Sequence, residues 1–338
     1  MAKRSSAPWP TGVWRKDLAD AVTEVDELLR LLDLEDRPPI PTTSALRGFP
    51  LRVPRAFVDR MRPGDPADPL LRQVLPAAKE DVPVPGFTTD PVGELSSPPV
   101  DSVLHKYQGR ALVMVAGACA VHCRYCFRRH FPFAEFGSAQ PEWGGAIDRI
   151  ASDPAISEVI LSGGDPLTVS DSRLEVLGRK LAALPQLKRL RIHTRMPIVL
   201  PKRVDGALTS WIGGLGLPTV VVVHANHSNE IDDEVRRALG ALAATGVTLL
   251  NQAVLLAGVN DSAEDLAELS EVLFEAGVLP YYLHMLDPVS GAAHFEVSED
   301  TARRLHGELA ARLPGYLVPR LVREVPSAPA KVGVDLWS

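Results

Sequence analysis

From Ala111 onward the chain alternates short apolar runs with amphipathic stretches, and this rhythm restricts the fold more than any other feature of its 338 residues. The apolar runs are 111–116 (ALVMVA), 158–162 (EVILS), 189–194 (RLRIHT), 219–224 (TVVVVH), 247–255 (VTLLNQAVL) and 279–286 (LPYYLHML). Helix-like stretches fall between them, near 142–152, 172–184, 203–212, 232–244 and 263–275, with a last one near 299–313. Strands separated by helices pair in parallel through right-handed crossovers. Six such units predict an α/β fold, a partial (β/α)6 barrel rather than the eightfold closed one. In barrels the reactive groups gather at the C-terminal ends of the strands. There the sequence offers a cysteine loop after the first strand, then Ser162–Asp165, Thr194–Arg195, His224–His227, Asn251–Gln252 and His284–Asp287.

Residues 1–100 have a different character. Asp17–Leu32 places Leu18, Val22, Val25, Leu28, Leu29 and Leu32 on one helical face, and prolines punctuate the chain from Pro38 to Pro99. We expect a helical and extended accessory region over 1–100, a core over 101–313 and a tail over 314–338. No apolar run approaches the roughly 18 residues of a spanning helix, and the charged start has no apolar stretch behind it. The expectation is a soluble, cytoplasmic protein with no membrane partner. A formal charge of −6 gives no reason to expect nucleic acid. The basic cluster Arg124, Arg128, Arg129 and His130 reads as a local anion site.

The three cysteines, Cys119, Cys123 and Cys126, stand within eight residues in the spacing CxxxCxxC, and there are no others. An odd, tightly packed set is a poor disulfide framework. Thiolates in such a set hold metal, and three of them leave a position open on an iron–sulfur cluster, the mark of a catalytic centre. A structural zinc site is the rival reading, with His122 or His130 as fourth ligand; neither histidine is otherwise assigned.

CxxxCxxC with an aromatic, Tyr125, before its last cysteine resembles the radical S-adenosylmethionine superfamily. Ser162-Gly163-Gly164-Asp165 resembles that superfamily's second element, which binds the amino group of S-adenosylmethionine. The segments CRYCFRRHFPF, RIHTRMPIVLP, HANHSNE, GVTLLNQAVLLAGVND and LPYYLHMLDPVSGAAHF resemble the lysine 2,3-aminomutase family over roughly 100–331. The N-terminal segments LRVPRAFVDRMRPGDPADPLLRQVLP, PGFTTDP and VLHKYQGRAL, with the tail YLVPRLVREVPSAPAK, resemble the short branch that makes (R)-β-lysine for elongation factor P.

The resemblance implies a [4Fe–4S] cluster on Cys119, Cys123 and Cys126, S-adenosylmethionine, and pyridoxal 5′-phosphate attached to Lys331. It implies that Lys106, Tyr107 and Arg110 bind the cofactor phosphate. Tyr125, Ser162, Gly163, Gly164, Asp165, His224, Asn226, Asn251 and Gln252 would lie near S-adenosylmethionine. Arg128 would grip the substrate carboxylate, for which its planar fork is suited. Asp287 and Glu324 would receive the distal ammonium of L-lysine, since a buried cation needs paired carboxylates. Further implied partners are a reductant such as flavodoxin or ferredoxin and, through a separate ligase, elongation factor P. Alternatives are an aminomutase of arginine or glutamate and a non-catalytic electron-transfer protein. The acidic pair disfavours glutamate. The chain departs from the larger lysine aminomutases in three ways. Pro326–Ala330 replaces a glycine run before Lys331, the second acidic residue is glutamate, and no cysteines remain for a zinc site at subunit contacts.

Overall fold

The computed structural model describes residues 9–35, 48–95, 99–133, 143–326 and 328–334. Its centre is a nine-stranded sheet: β1 (Val103–Tyr107), β2 (Arg110–Ala116), β3 (Glu158–Gly163), β4 (Arg189–Thr194), β5 (Thr219–Val223), β6 (Thr248–Val254), β7 (Leu279–His284), β8 (Arg320–Arg323) and β9 (Val332–Gly333). The strands lie in sequence order. Pairing is parallel from β2 to β8, and antiparallel at the ends, β1 on β2 and β8 on β9. The six expected strands are β2 to β7, and β8 adds a seventh parallel one. The sheet does not close by backbone pairing; β1 and β9 are its edges.

The helices are α1 (Val13–Ala19), α2 (Val25–Leu31), α3 (Arg55–Val58), α4 (Pro69–Arg72), α5 (Gly144–Ser152), α6 (Asp171–Ala182), α7 (Met196–Val199), α8 (Gly206–Gly213), α9 (Asp233–Ala243), α10 (Ala263–Glu275) and α11 (Glu299–Arg312). The long crossover helices follow from spacing and caps. In α10, Ser262 accepts from the amide of Asp265, and Leu266, Leu269 and Leu273 make the buried stripe. Burying each leucine contributes about 1.5–3 kcal/mol. The strands show which face meets these helices. In β4, Leu190 and Ile192 are fully buried in the main core, while Arg191 and His193 alternate with them and face the lumen.

The expected single helix over Asp17–Leu32 is instead two, α1 and α2. Between them Val22 leaves the helical path to pair with Val53, exchanging both backbone bonds at 2.8 and 2.9 Å. The N-terminal region braces the cysteine loop. His122 N donates to Arg52 O at 3.0 Å and Arg124 N to Gln73 O at 2.8 Å.

Candidate active site

The cysteine loop follows β2 at the C-terminal rim, and β3 ends against it. Gly164 N donates to Ala116 O at 2.6 Å and Asp165 N to Ala118 O at 2.8 Å. This contact explains both glycines. A Cβ at Gly163 would lie 2.4 Å from Ala116 O, and one at Gly164 2.4 Å from Ala118 O; Gly163 also has φ +115°. The glycines permit the end of β3 to approach the chain's own backbone closely. Asp165 is likewise engaged internally. It accepts from Leu167 N, Thr194 Oγ1 and Arg195 N at 3.0, 2.7 and 2.7 Å, and so locks the loop after β3 to the loop after β4.

The three thiols sit half-buried beside one another. Burial and the neighbouring Cys123 push Cys126 up to about 11, and burial with the other two cysteines and Asp165 pushes Cys119 up as well. Three adjacent half-buried thiols, two of them costly to ionise unaided, fit a strongly cationic guest, which supplies the missing charge. Among the described residues no three histidine, cysteine, aspartate or glutamate side chains gather about a single-ion centre. His122 and His130, the candidate fourth zinc ligands, place ring nitrogens on Pro50 O at 2.8 Å and Ser290 O at 3.0 Å.

A buried polar network backs the loop. Arg195 Nη1 donates to Cys123 Sγ and to Tyr125 OH, both at 2.8 Å, and Nη2 donates to Gln73 and Glu230 at 2.7 and 3.0 Å. Tyr125 OH also meets His224 Nε2 at 2.9 Å and accepts from Asn226 Nδ2 at 2.7 Å. The side-chain oxygen Oδ1 of Asn226 accepts from Val254 N, and Asn251 uses both ends of its amide on Ala225. Tyr125, Asn226 and Asn251 therefore hold the rim loops in register. Burial keeps His224 uncharged, with its pKa well below the usual imidazole range. Gln252 stands opposite Tyr282 in the β6–β7 register.

The basic cluster is not an open anion site. Glu80 takes Arg124 through both oxygens, at 2.9 and 2.6 Å, and Arg129 at 2.6 Å. Arg128 is held by Glu94, and its Nη1 donates to Ser162 Oγ and Gly163 O at 3.3 and 3.1 Å. Internal carboxylates thus neutralise all three arginines, as burial demands.

Across the lumen, Glu324 directly follows β8. Its Oε2 receives Lys331 Nζ at 2.8 Å, and its Oε1 receives Lys106 Nζ at 2.6 Å and the hydroxyl of Tyr107. Burial alone would raise Glu324, but Lys331, Lys106 and Tyr107 outweigh it and hold the carboxyl at about 2. Asp287, in the same field, is pushed up to about 7 by burial, against the pull of Lys331. Lys106 and Tyr107, expected on a phosphate, are thus directed to Glu324. Arg110 lies over the Tyr107 ring at 5.0 Å and has no ion pair among the described residues, so it is the cation left for a phosphate. Two lumen histidines complete the wall. Burial and Lys331 lower His284 to about 3, and His193 is held well below its usual value by burial and Arg191. Nε2 of His193 is buried without a hydrogen-bond partner. A vacant buried nitrogen, a free arginine and an accessible lysine fit a phosphorylated pyridine attached through Lys331.

Sequence reasoning missed Glu94, Glu80, His193 and the Gln73–Glu230 pair. Glu94 and Glu80 lie in a proline-punctuated stretch whose pattern says nothing of its partners. The signal that could have found His193 is the alternation of β4, which sets it on the face opposite Leu190 and Ile192.

Residues 108–191 match a family described as a 4Fe-4S single cluster domain. The fold and the three-cysteine loop thus define an iron–sulfur enzyme of the radical S-adenosylmethionine class. L-lysine 2,3-aminomutase of Escherichia coli (strain K12) is 52% identical over 324 residues, 96% of this chain and 94% of that protein. The enzymes of the same name from Haemophilus influenzae and Clostridium subterminale are 46% and 33% identical, covering 94% and 98% of this chain and 94% and 79% of theirs. The chain belongs to the lysine 2,3-aminomutase family. No helix among the described residues is long and apolar enough to cross a membrane.

Proposed function

We propose that the protein is an L-lysine 2,3-aminomutase, an isomerase that moves the amino group of L-lysine from the α to the β carbon. The observation that carries the reading is that Lys331 bonds to Glu324 at 2.8 Å and lies in the field of Asp287, while Arg128 stands at the end of β3. A chain of lysine's shape, with a carboxylate at one end and an ammonium at the other, finds the complementary charge at each end. When bound, the [4Fe–4S] cluster, S-adenosylmethionine and pyridoxal phosphate supply radical initiation and a conjugated support for the migrating nitrogen.

The chain's own groups hold and orient. Cys119, Cys123 and Cys126 are the cluster ligands, and Arg195 donates to Cys123. Lys331 anchors pyridoxal phosphate and Arg110 receives its phosphate. Arg128 receives the substrate carboxylate. Lys331 would hold the cofactor, and Glu324, no longer its partner, would stand with Asp287 to receive the distal ammonium. Tyr125, His224, Asn226, Asn251 and the Ser162–Asp165 turn shape the wall beside S-adenosylmethionine. We assign a flavodoxin or ferredoxin as reductant, and (R)-β-lysine as a product that a separate ligase transfers to elongation factor P in the cytoplasm. The similarity of the N-terminal segments to the short branch supports that assignment.

The test is anaerobic turnover with reconstituted cluster, pyridoxal phosphate, S-adenosylmethionine, dithionite and L-lysine, with arginine and glutamate in parallel. β-Lysine by mass spectrometry, from lysine alone, is expected. Cleavage of S-adenosylmethionine without β-lysine sinks lysine as substrate. Chiral analysis of the product, and a mass shift on elongation factor P when its ligase is added, check the finer assignment.

A further inference from the structure

The guanidinium of Arg128 is already engaged on nearly every edge. Its Nε and Nη2 hold the two oxygens of Glu94 at 2.8 and 2.6 Å, and both Nη1 contacts go to the β3 end. The two side chains are 8% and 12% exposed. Arginine has five N–H donors. With these contacts made, the N–H left on Nη2 cannot take a second carboxylate at two points.

Glu94 reaches Arg128 from a strap, residues 87–95, that runs from the loop after β7 to the end of β3. One end is tied to the loop that follows Asp287. Thr88 N donates to Pro288 O and Ser290 N to Thr88 O, both at 2.8 Å, and Ser290 Oγ donates to Phe87 O at 3.2 Å. The other end folds on itself, with the amides of Glu94 and Leu95 on the Asp90 carboxylate at 2.8 and 3.0 Å. Side chains join this end to the barrel, through Arg128, through Lys106 on Val92 O at 3.3 Å and through the buried side chain of Val92. Among the described residues no β-ladder bond holds this end, so its release from Arg128 breaks no strand pair there and draws Val92 outward.

We propose that the fork of Arg128 is one carboxylate site used in turn by Glu94 and by the substrate, which makes Glu94 a specificity-determining residue. This rests on the reading of the chain as an aminomutase of a cationic amino acid. The exchange trades one carboxylate for another, so the buried arginine is never left unpaired, the state that is costly. Asp287 and Glu324 alone cannot distinguish lysine from cadaverine, the diamine with the same two amines and no carboxylate. A diamine brings nothing to replace Glu94 on Arg128, and the strap stays shut against it.

The test uses the holoenzyme, with cluster and pyridoxal phosphate, kept anaerobic and without S-adenosylmethionine so that nothing turns over. Hydrogen exchange of peptide 87–95 is followed by mass spectrometry with L-lysine or cadaverine, and binding is read from the visible absorption of the cofactor. Lysine is expected to speed exchange of peptide 87–95 severalfold, as its turn loses the anchor on Arg128, and cadaverine to leave it unchanged. In turnover, Glu94→Gln is expected to lower KM for lysine severalfold and to make cadaverine a stronger inhibitor. Bound lysine with unchanged strap exchange overturns the proposal. So does a raised KM in Glu94→Gln, which would make Glu94 a fixed support for Arg128. Strap release by lysine without any β-lysine formation supports the exchange on Arg128 and counts against the aminomutase reading instead.

Discussion

Lys331 reaches back seven residues to Glu324, with Nζ 2.8 Å from Oε2, so the candidate cofactor lysine and a candidate substrate carboxylate are each other's partners. Glu324 therefore has two successive tasks, and Glu324→Gln separates them. A hydrogen bond to a charged group contributes about 1.5–3 kcal/mol, so KM for lysine is expected to rise about tenfold to a hundredfold. Steady-state kinetics at saturating pyridoxal phosphate measure it. The folded-state pKa of about 2 lies below the ordinary value, so the stabilisation from Glu324 is present above about pH 4.5 and lost as pH falls towards 2. That part of the acid transition is expected to disappear in the variant.

Burial raises Asp287 to about 7, so its protonation changes near neutrality. A bound ammonium favours the carboxylate, so binding lowers its pKa and releases a proton. Affinity for lysine is then expected to rise with pH, by at most about tenfold per unit, and to level off above about pH 7. Because the folded pKa is raised, ionising Asp287 in the free protein costs stability as pH rises from about 4 to about 7. A KM–pH profile checks the first point, with Asp287→Asn expected to flatten it.

Gly164→Ala drives a methyl group to 2.4 Å from Ala118 O, and backbone cannot give way as a side-chain tip can. Overpacking of this kind costs about 1–3 kcal/mol, and the displaced segment adjoins Cys119. Thermal unfolding should show the loss of stability, and iron content after reconstitution should fall in parallel. A normal iron content at a lowered Tm would mean that the cysteine loop relaxes independently of β3.

Glu80 has no exposed side-chain surface and neutralises Arg124 and Arg129 together. Burial opposes its ionisation, but Arg124 and Arg129 prevail and hold it below the usual carboxylate range. Its contribution is therefore present above the ordinary carboxylate pKa and is lost as pH falls through the lowered one. Glu80→Ala leaves two buried guanidinium groups without their anion, a change of about 3–5 kcal/mol. Denaturant unfolding is expected to show that loss, together with poorer retention of the cluster.

The strand rhythm made β2 to β7 legible, because period-two burial and capped amphipathic helices are local properties of sequence. Val22 was not legible as a break, since its partner Val53 is remote and a valine fits a helical stripe equally well. The cysteines and Lys331 could be named from spacing and resemblance. The tasks of Asp165, Asn226 and Asn251 could not: a buried carboxylate or amide takes whatever donors the fold delivers, and those come from loops far apart in the chain. For the same reason Arg128 could be named, whereas its occupant Glu94 could not.

Among the described residues no backbone ladder joins the first and last parts of the sheet, and Lys106 of β1 touches Glu324, 218 residues later. Contacts of such sequence separation form late, after the loop entropy between them has been overcome. The barrel's seam is therefore the last region to assemble and, lacking a backbone ladder, among the first to open. The groups proposed to hold lysine and pyridoxal phosphate line that seam. Bound ligands would bridge its two lips, so occupancy of the site and closure of the fold are one event. Cofactor loading should therefore slow the opening of β1 and β8 relative to β4 and β5.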